Sequence, residues 1–165
     1  MGRIWIAVAV GGALVFAAGG FVMGAMNAGW LGLERDTNSM FPLLGIGVLA
    51  MVAGWSQGIG RAVWRSGGLG KAAVVCAVLG GLFFLLNPIL QFAVFGTLLF
   101  GIGLGLFSVT LWRQALMTRV DHLLASFATV GSLTWNTETL SAFLLVGVGL
   151  ILVVLSLRMP DAAGD

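Results

Sequence analysis

The sequence has very few charged residues, and this scarcity excludes most classes of soluble protein. Only 8% of its 165 residues are Asp, Glu, Lys or Arg, whereas about 25% is usual in a soluble domain. Hydrophobic residues make up 59% of the chain, and the mean hydropathy is +1.09. Its eight Lys and Arg residues are too few for a nucleic-acid-binding surface. The composition is typical of an integral membrane protein.

Cysteine and histidine are equally scarce, which limits metal and redox chemistry. The single Cys76 cannot form an intrachain disulfide, and the single His122 cannot supply a multi-histidine metal or haem site. Asp121 is the direct sequence neighbour of His122, which argues against a Ser/His/Asp triad. We therefore predict no metal site and no enzymatic activity. The cofactor stays unknown, and an apolar ligand or a pigment is the type that this composition allows.

Long uncharged runs separate the few charges. A helix needs about 20 apolar residues to cross a hydrocarbon core of about 30 Å, and most of the runs are near that length. The run between Lys71 and Arg113 is about twice as long, and Asn87-Pro88 near its middle predicts a turn. We predict an all-α fold, a polytopic transmembrane helical bundle of five to six spans. The predicted spans are residues 4–26, 40–59, 72–86, 89–112, 117–136 and 140–157.

The segment 117–136 leaves two alternatives open. Its uncharged part, 123–135, would be about 20 Å long as a helix, which is short of a full crossing. It crosses if Arg119, Asp121 and His122 reach back to the headgroups, and otherwise it re-enters or lies on the surface. With a cytoplasmic N-terminus, six spans place more Lys and Arg residues inside than five spans do, which favours six. We expect the chain in a cell inner membrane, N-terminus inside.

Glycine is abundant, with 26 residues, and three GxxxG patterns lie within predicted spans. Small residues four positions apart form a flat stripe that lets two helices approach closely. Such a stripe predicts packing within the chain or, on an outer face, contact with a partner helix or an apolar ligand. The candidate packing glycines are Gly20, Gly24, Gly54, Gly58, Gly101, Gly103 and Gly105.

Four ionisable residues are candidates for a functional role. They are Asp121 and His122, with Arg119 beside them, and Glu138 at the far end of the same segment. Ionisable side chains inside a membrane are costly and mark functional sites. The alternative is that these side chains sit at the headgroup level, where they need no functional explanation.

Two stretches resemble known families. The stretch from Gly96 to Met117, GTLLFGIGLGLFSVTLWRQALM, resembles the fourth helix of a six-helix half of the major facilitator superfamily, nearest its bacteriochlorophyll-delivery branch, whose members assist light-harvesting assembly. The order of spans and loops over about 40–117 is similar too, although the loop before Lys71 lacks the family's acidic residue. The resemblance implies a transporter-like fold that needs a dimer or a partner, because the chain has half the family's length.

A shorter stretch, DHLLA at 121–125, is similar to a signature of small nickel-permease-like proteins. That family has a second histidine several residues before the Asp-His pair, where this chain has Ala115. The missing ligand argues against metal transport.

These observations predict a non-enzymatic membrane protein, either transporter-like or an accessory subunit of a membrane complex. Its expected partners are the lipid bilayer and either further copies of the chain or other membrane subunits, with no nucleic acid. The alternative is a small-solute transporter that acts as a homodimer of facilitator-like halves. A membrane-embedded enzyme is a third possibility, for which the sequence lacks the catalytic residues.

Overall fold

The computed structural model describes residues 2–32, 37–58, 63–64, 66–134 and 139–158. Within these ranges the chain forms six main α-helices and a 3-10 helix, and no β-strand. The helices are α1 (Gly2–Asn27), α2 (Phe41–Gly58), α3 (Gly68–Leu90), α4 (Ala93–Arg113), α5 (Arg119–Thr134) and α6 (Thr139–Arg158); the 3-10 helix, η1, is Thr37–Met40. The predicted all-α bundle is confirmed.

Four helices are long and apolar enough to cross a membrane. They are α1, α2 together with η1, α3 and α4. α6 contributes a shorter apolar helix over Ala142–Arg158, and α5 has 16 residues with an aspartate in its first turn. Length and hydropathy are compatible with an integral membrane protein.

The six helices form a closed ring in chain order. Each helix packs against the next, and α6 returns to pack along α1. Neighbours are antiparallel: Gly54 near the end of α2 contacts Trp5, whereas Gly47 further back contacts Phe16. The starts of α1, α3 and α5 therefore share one end of the bundle with the ends of α2, α4 and α6. We call it the basic end, since the described basic side chains lie there, all exposed: Arg3, Lys71, Arg113, Arg119 and Arg158.

Glycines bring the backbones of the first four helices together. A Cβ atom built on Gly12 of α1 would lie 2.6 Å from the Gly47 carbonyl oxygen of α2. A Cβ on Gly45 would lie 2.7 Å from the carbonyl oxygen of Gly81 in α3, and one on Gly80 would lie 2.6 Å from the backbone nitrogen of Phe100 in α4. Only residues without a Cβ allow such approaches, which increase the dispersion contacts that hold membrane helices together.

Aromatic side chains fill the space inside the ring. The Phe16 ring of α1 lies 5.4 Å from the Phe100 ring of α4, and Phe100 in turn meets Phe84 of α3 at 6.4 Å. Trp55 of α2 packs 5.2 Å from Phe107 of α4. Each of these side chains is at most 4% exposed. The ring is a packed core rather than an open barrel.

The turn between the third and fourth helices lies later than the sequence predicts. α3 continues through Asn87 and Pro88 to Leu90, and Gln91 ends it in a left-handed conformation with φ of 54°. Pro88 lies in the last turn of α3, where its missing N–H removes one i→i−4 hydrogen bond two residues before the helix ends. The sequence-based turn at Asn87-Pro88 was therefore placed about three residues too early.

Residues 119–134 of the segment predicted at 117–136 form α5, which lies within the bundle. At one end of α5, His122 contacts Ser108 of α4, and at the other end Leu133 lies against Gly101 of the same helix. α5 therefore follows α4 lengthwise, and it also packs along α6. A helix lying across the surface of the bundle would not make contacts at both of these levels.

Candidate functional site

Polar side chains of α4, α5 and α6 meet at the basic end. Antiparallel packing brings the last turns of α4 and α6 next to the first turn of α5. The side chains that meet, which we call the polar cluster, are Ser108, Trp112, Thr118, Asp121, His122 and Arg158. Two of the sequence-predicted residues, Asp121 and His122, belong to it.

Asp121 is the buried charge of the cluster. Its side chain is 9% exposed, and its Oδ1 lies 3.1 Å from Nε of Arg158, whose side chain is 46% exposed. Within the described part of the chain Oδ1 accepts no hydrogen bond, so the Arg158 contact compensates its charge without an aligned N–H. The pair also suits the helix dipoles, because the acid lies at the positive start of α5 and the base at the negative end of α6.

The other carboxylate oxygen of Asp121 caps α5. The Oδ2 atom accepts hydrogen bonds from the Thr118 hydroxyl at 2.6 Å and from the Thr118 backbone N–H at 3.2 Å. The Asp121 backbone N–H donates to the Thr118 hydroxyl oxygen at 3.2 Å. This reciprocal arrangement is a capping box, which satisfies backbone donors that the first turn of a helix leaves without partners. The Asp121 carboxylate thus caps the first turn of α5 and also forms the ion pair with α6.

His122 joins α5 to α4. Its Nδ1 lies 2.7 Å from the Ser108 hydroxyl oxygen, and its ring stacks on Trp112 at 4.9 Å with an angle of 28° between the planes. Ser108 and Trp112 lie one turn apart on the same face of α4, so both reach the same imidazole. Hydrogen bonds of this kind link helices where the surrounding lipid offers no competing donor.

A small cavity lies next to Ser108, inside the ring. Its volume of about 10 Å³ has room for one water molecule at most. The other side chains that line it are almost entirely apolar: Trp55, Leu104, Phe107, Leu111, Met117, Ala125, Ala128, Leu152 and Leu155. A solute or a pigment does not fit in this space.

A further buried hydrogen bond crosses the ring close to the cavity. The Trp55 indole N–H of α2 donates to the Ser156 hydroxyl of α6 at 2.9 Å, and that hydroxyl donates to the Leu152 carbonyl. Both side chains are at most 4% exposed. The bond satisfies the one polar atom of a large aromatic side chain and fixes its ring in the core.

The remaining ionisable candidates lie outside the polar cluster. Arg119 begins α5 and is exposed. The ion-pair partner of Asp121 is Arg158. Glu138 lies outside the described residues. No group of three His, Cys, Asp or Glu side chains within the described ranges could hold a metal ion.

The candidate packing glycines divide into three groups. The first group lies where a Cβ would come within 3.0 Å of a neighbouring helix: Gly20, Gly24, Gly54, Gly101 and Gly103. A Cβ on Gly105 would meet Thr129 at 3.4 Å, an ordinary van der Waals distance. A Cβ on Gly58 meets nothing within 4 Å among the described residues, so packing there does not explain this glycine.

Several of the residues that make the closest contacts were not predicted from the sequence. Thr118 carried a usable signal, since Thr-x-x-Asp before a helix is a capping-box signature. The GxxxG pairs do not include four glycines that make backbone contacts: Gly12, Gly45, Gly47 and Gly80. The wider small-xxx-small pattern, which includes alanine, does find other contact positions, such as Ala77 and Gly81. Pairs such as Ser108 with His122 depend on how helices dock, and no local pattern marks them.

No protein-family model, curated protein or solved structure matches this chain. The resemblances of 96–117 to the major facilitator superfamily and of 121–125 to nickel permeases therefore stay predictions.

Proposed function

We propose that this chain is an integral membrane protein that acts as an accessory, helix-docking subunit of a membrane complex, without catalytic chemistry. The observation that carries the proposal is the filled interior of the helix ring. Aromatic rings of α1 to α4 meet at its centre, and the cavity beside Ser108 holds one water at most. The cavity beside Ser108 is too small for a solute, which favours a functional contact on the outer surface.

The outer surface supports this role. Large apolar side chains point outward from every helix and fit lipid tails and partner helices equally well. Representative exposed side chains are Phe21, Ile46, Val75, Ile102, Phe127 and Leu150. An apolar ligand or a pigment would also have to bind on this surface or between subunits, because the interior has no space for one.

The proposed orientation places the basic end in the cytoplasm of a cell with an inner membrane. The described Lys and Arg residues share that end, and such a bias follows the cytoplasmic side of a membrane. This orientation puts the N-terminus of α1 inside the cell. It also requires α5, although short, to be a sixth span. Cysteine labelling at Asn136 and at Ala163, after replacement of Cys76, tests this topology. Six spans expect Asn136 to be labelled from outside and Ala163 from inside. The reverse assignment contradicts six spans, because a chain with five spans places each position on the opposite side.

Extraction in a mild detergent tests the docking role. The proposal expects the chain to co-purify with other membrane proteins in fixed ratio, and in-membrane crosslinking before extraction should trap the same partners. Harsh detergent provides the control, because it should release the chain as a single species. A monodisperse chain that binds nothing before and after crosslinking contradicts the docking role.

A second candidate function is solute transport by a homodimer of facilitator-like halves. The observation that favours it is the buried Asp121, paired with Arg158 at the basic end, because buried ionisable side chains of membrane proteins mark substrate pathways. The pathway would lie between two copies. Uptake of candidate solutes into vesicles that contain the purified dimer tests this function. Uptake that Asp121→Asn and Arg158→Gln leave unchanged would remove the polar cluster as the transport site.

A further inference from the structure

The turn between α3 and α4 differs from the other connections of the bundle. It contains no charged residue, and the nearest ones along the chain are Lys71 and Arg113, near the opposite ends of these two helices. Each of the other four connections contains a charged residue or has one at the helix end beside it. The exposed residues around this turn include the polar Gln91 and five large apolar residues. We call the five apolar residues the apolar tip: Ile89, Leu90, Phe92, Val94 and Phe95.

The apolar tip exposes a contiguous hydrophobic surface. Ile89 is 80% exposed, Val94 is 68% exposed and Phe95 is 55% exposed. The Phe92 and Phe95 rings pack edge to face with their centroids 5.6 Å apart, and both contact Phe83 of α3. A surface of this kind is unfavourable in water and marks a site of contact with another phase or molecule.

Part of the backbone of the turn is hydrogen-bonded within the protein. Asn87 is 2% exposed, and its Oδ1 accepts a hydrogen bond from the Ala93 backbone N–H at 2.6 Å, which caps the start of α4. The Asn87 carbonyl accepts from the Gln91 N–H at 2.7 Å, and the Phe92 carbonyl accepts from the Gly96 N–H at 3.0 Å. Internal pairing of this kind is what a hydrocarbon environment demands, because lipid supplies no donor or acceptor.

The depth of the tip also fits lipid. At 1.5 Å per residue, Ile89 lies about 27 Å from Lys71 along α3, and Val94 lies about 28 Å from Arg113 along α4. A hydrocarbon core is about 30 Å thick, so basic residues at one boundary leave the tip at the inner edge of the other. Trp30, which is 68% exposed and follows α1 at the same end, is the residue type that marks this boundary.

From these observations we infer that the apolar tip is embedded among the acyl chains of the outer lipid leaflet and anchors the bundle there. The inference rests on the proposal that the chain spans a membrane with its basic end inside. It does not depend on docking or on transport.

Spin-label accessibility tests the inference in the full chain reconstituted in phosphatidylcholine and phosphatidylglycerol vesicles. In a Cys76→Ala background, Leu90→Cys or Val94→Cys carries the nitroxide at the tip. Leu150→Cys on the outer face of α6 gives the mid-membrane reference, and Ser39→Cys in η1 gives an exposed reference at the end of the tip. We expect both tip labels to collide with oxygen several-fold more, relative to a water-soluble nickel chelate, than the Ser39→Cys label does.

Two outcomes overturn the inference. Nickel collision as frequent as at Ser39→Cys would place the tip in water. Shielding of the tip labels from both oxygen and nickel would place it in a protein contact. If Leu150→Cys gives no lipid signature, the chain is not inserted, and the proposed membrane function fails with the inference.

The unmodified chain gives an independent readout if the cysteine variants do not fold. Photoactivatable lipids should label the peptide that contains residues 89–95, whereas hydroxyl radicals generated in the water should spare Phe92 and Phe95. Oxidation of these two rings at the level of Trp30 would contradict the inference.

Discussion

The two sides of the helix ring are held together by different chemistry. Helices α1 to α4 approach backbone to backbone through glycines and fill the centre with aromatic rings. By contrast, α5 meets α4 and α6 through side chains, among them the polar side chains of Asp121 and His122. The first kind of contact has no tolerance for an added methyl group. The second kind depends on a few groups that can be removed one at a time. A chain with little charge can thus place its few polar groups at the contacts of its short helix α5.

The largest expected effect comes from one glycine of the α1–α2 contact. Gly12→Ala puts a Cβ 2.5 Å from the Met51 backbone nitrogen, so the two helices have to separate. We expect a loss of about 1–3 kcal/mol in the free energy of unfolding, measured by titration with sodium dodecyl sulfate in mixed micelles.

The adjacent Gly11 is the matched control. A Cβ there meets nothing within 4 Å, so Gly11→Ala should stabilise the helix by up to about 0.5–1 kcal/mol. Equal effects of the two substitutions would show that glycine contacts do not hold this side of the ring.

The next effect concerns the ion pair on the polar side. Arg158→Gln leaves the buried Asp121 carboxylate uncompensated, and we expect a loss of about 1–2 kcal/mol, less than for a fully buried pair because Arg158 is half exposed. The double variant Asp121→Asn/Arg158→Gln should regain part of this loss. The single variant Asp121→Asn completes the cycle, and strictly additive effects of the two single substitutions would show that the pair carries no coupling.

A smaller effect is expected at the bond between α4 and α5. Ser108→Ala removes the hydroxyl that contacts His122 at 2.7 Å, and interhelical hydrogen bonds in membranes average about 0.6 kcal/mol. Ser126→Ala is the control, since that hydroxyl bonds only within α5, to the His122 carbonyl. A loss of several kcal/mol for Ser108→Ala would make the polar side the dominant one.

The smallest effect lies in the turn that joins α4 to α5. Ala115 has φ of 55°, a left-handed conformation that costs residues with a Cβ more than it costs glycine. Ala115→Gly relieves this strain but adds freedom to the unfolded chain, and we expect a net gain of about 0.5 kcal/mol. Ala115→Val should instead destabilise, and a gain from valine would contradict the assigned backbone conformation.

Much of the fold followed from local sequence, and little of the site did. Uncharged runs predicted the helices at 4–26, 40–59 and 140–157 close to where α1, α2 and α6 lie, because a long apolar helix is recognisable from its composition. Asp121 and His122 were recognised as candidate functional residues, because ionisable side chains are costly within a membrane span. Their partners Arg158 and Ser108 were not, since both pairings require knowledge of which helix follows which around the ring.

The sequence by itself determined that this chain is helical, apolar and poor in charge, because these properties follow from the summed preferences of single residues. The tertiary structure decided the rest. It closed α6 onto α1, chose which glycines carry backbone contacts, and gave the Asp121 carboxylate both a helix to cap and an arginine to meet. The physical reason is that close contact and ion pairing depend on the distances between helices. Those distances are set jointly by many residues that lie far apart in the sequence.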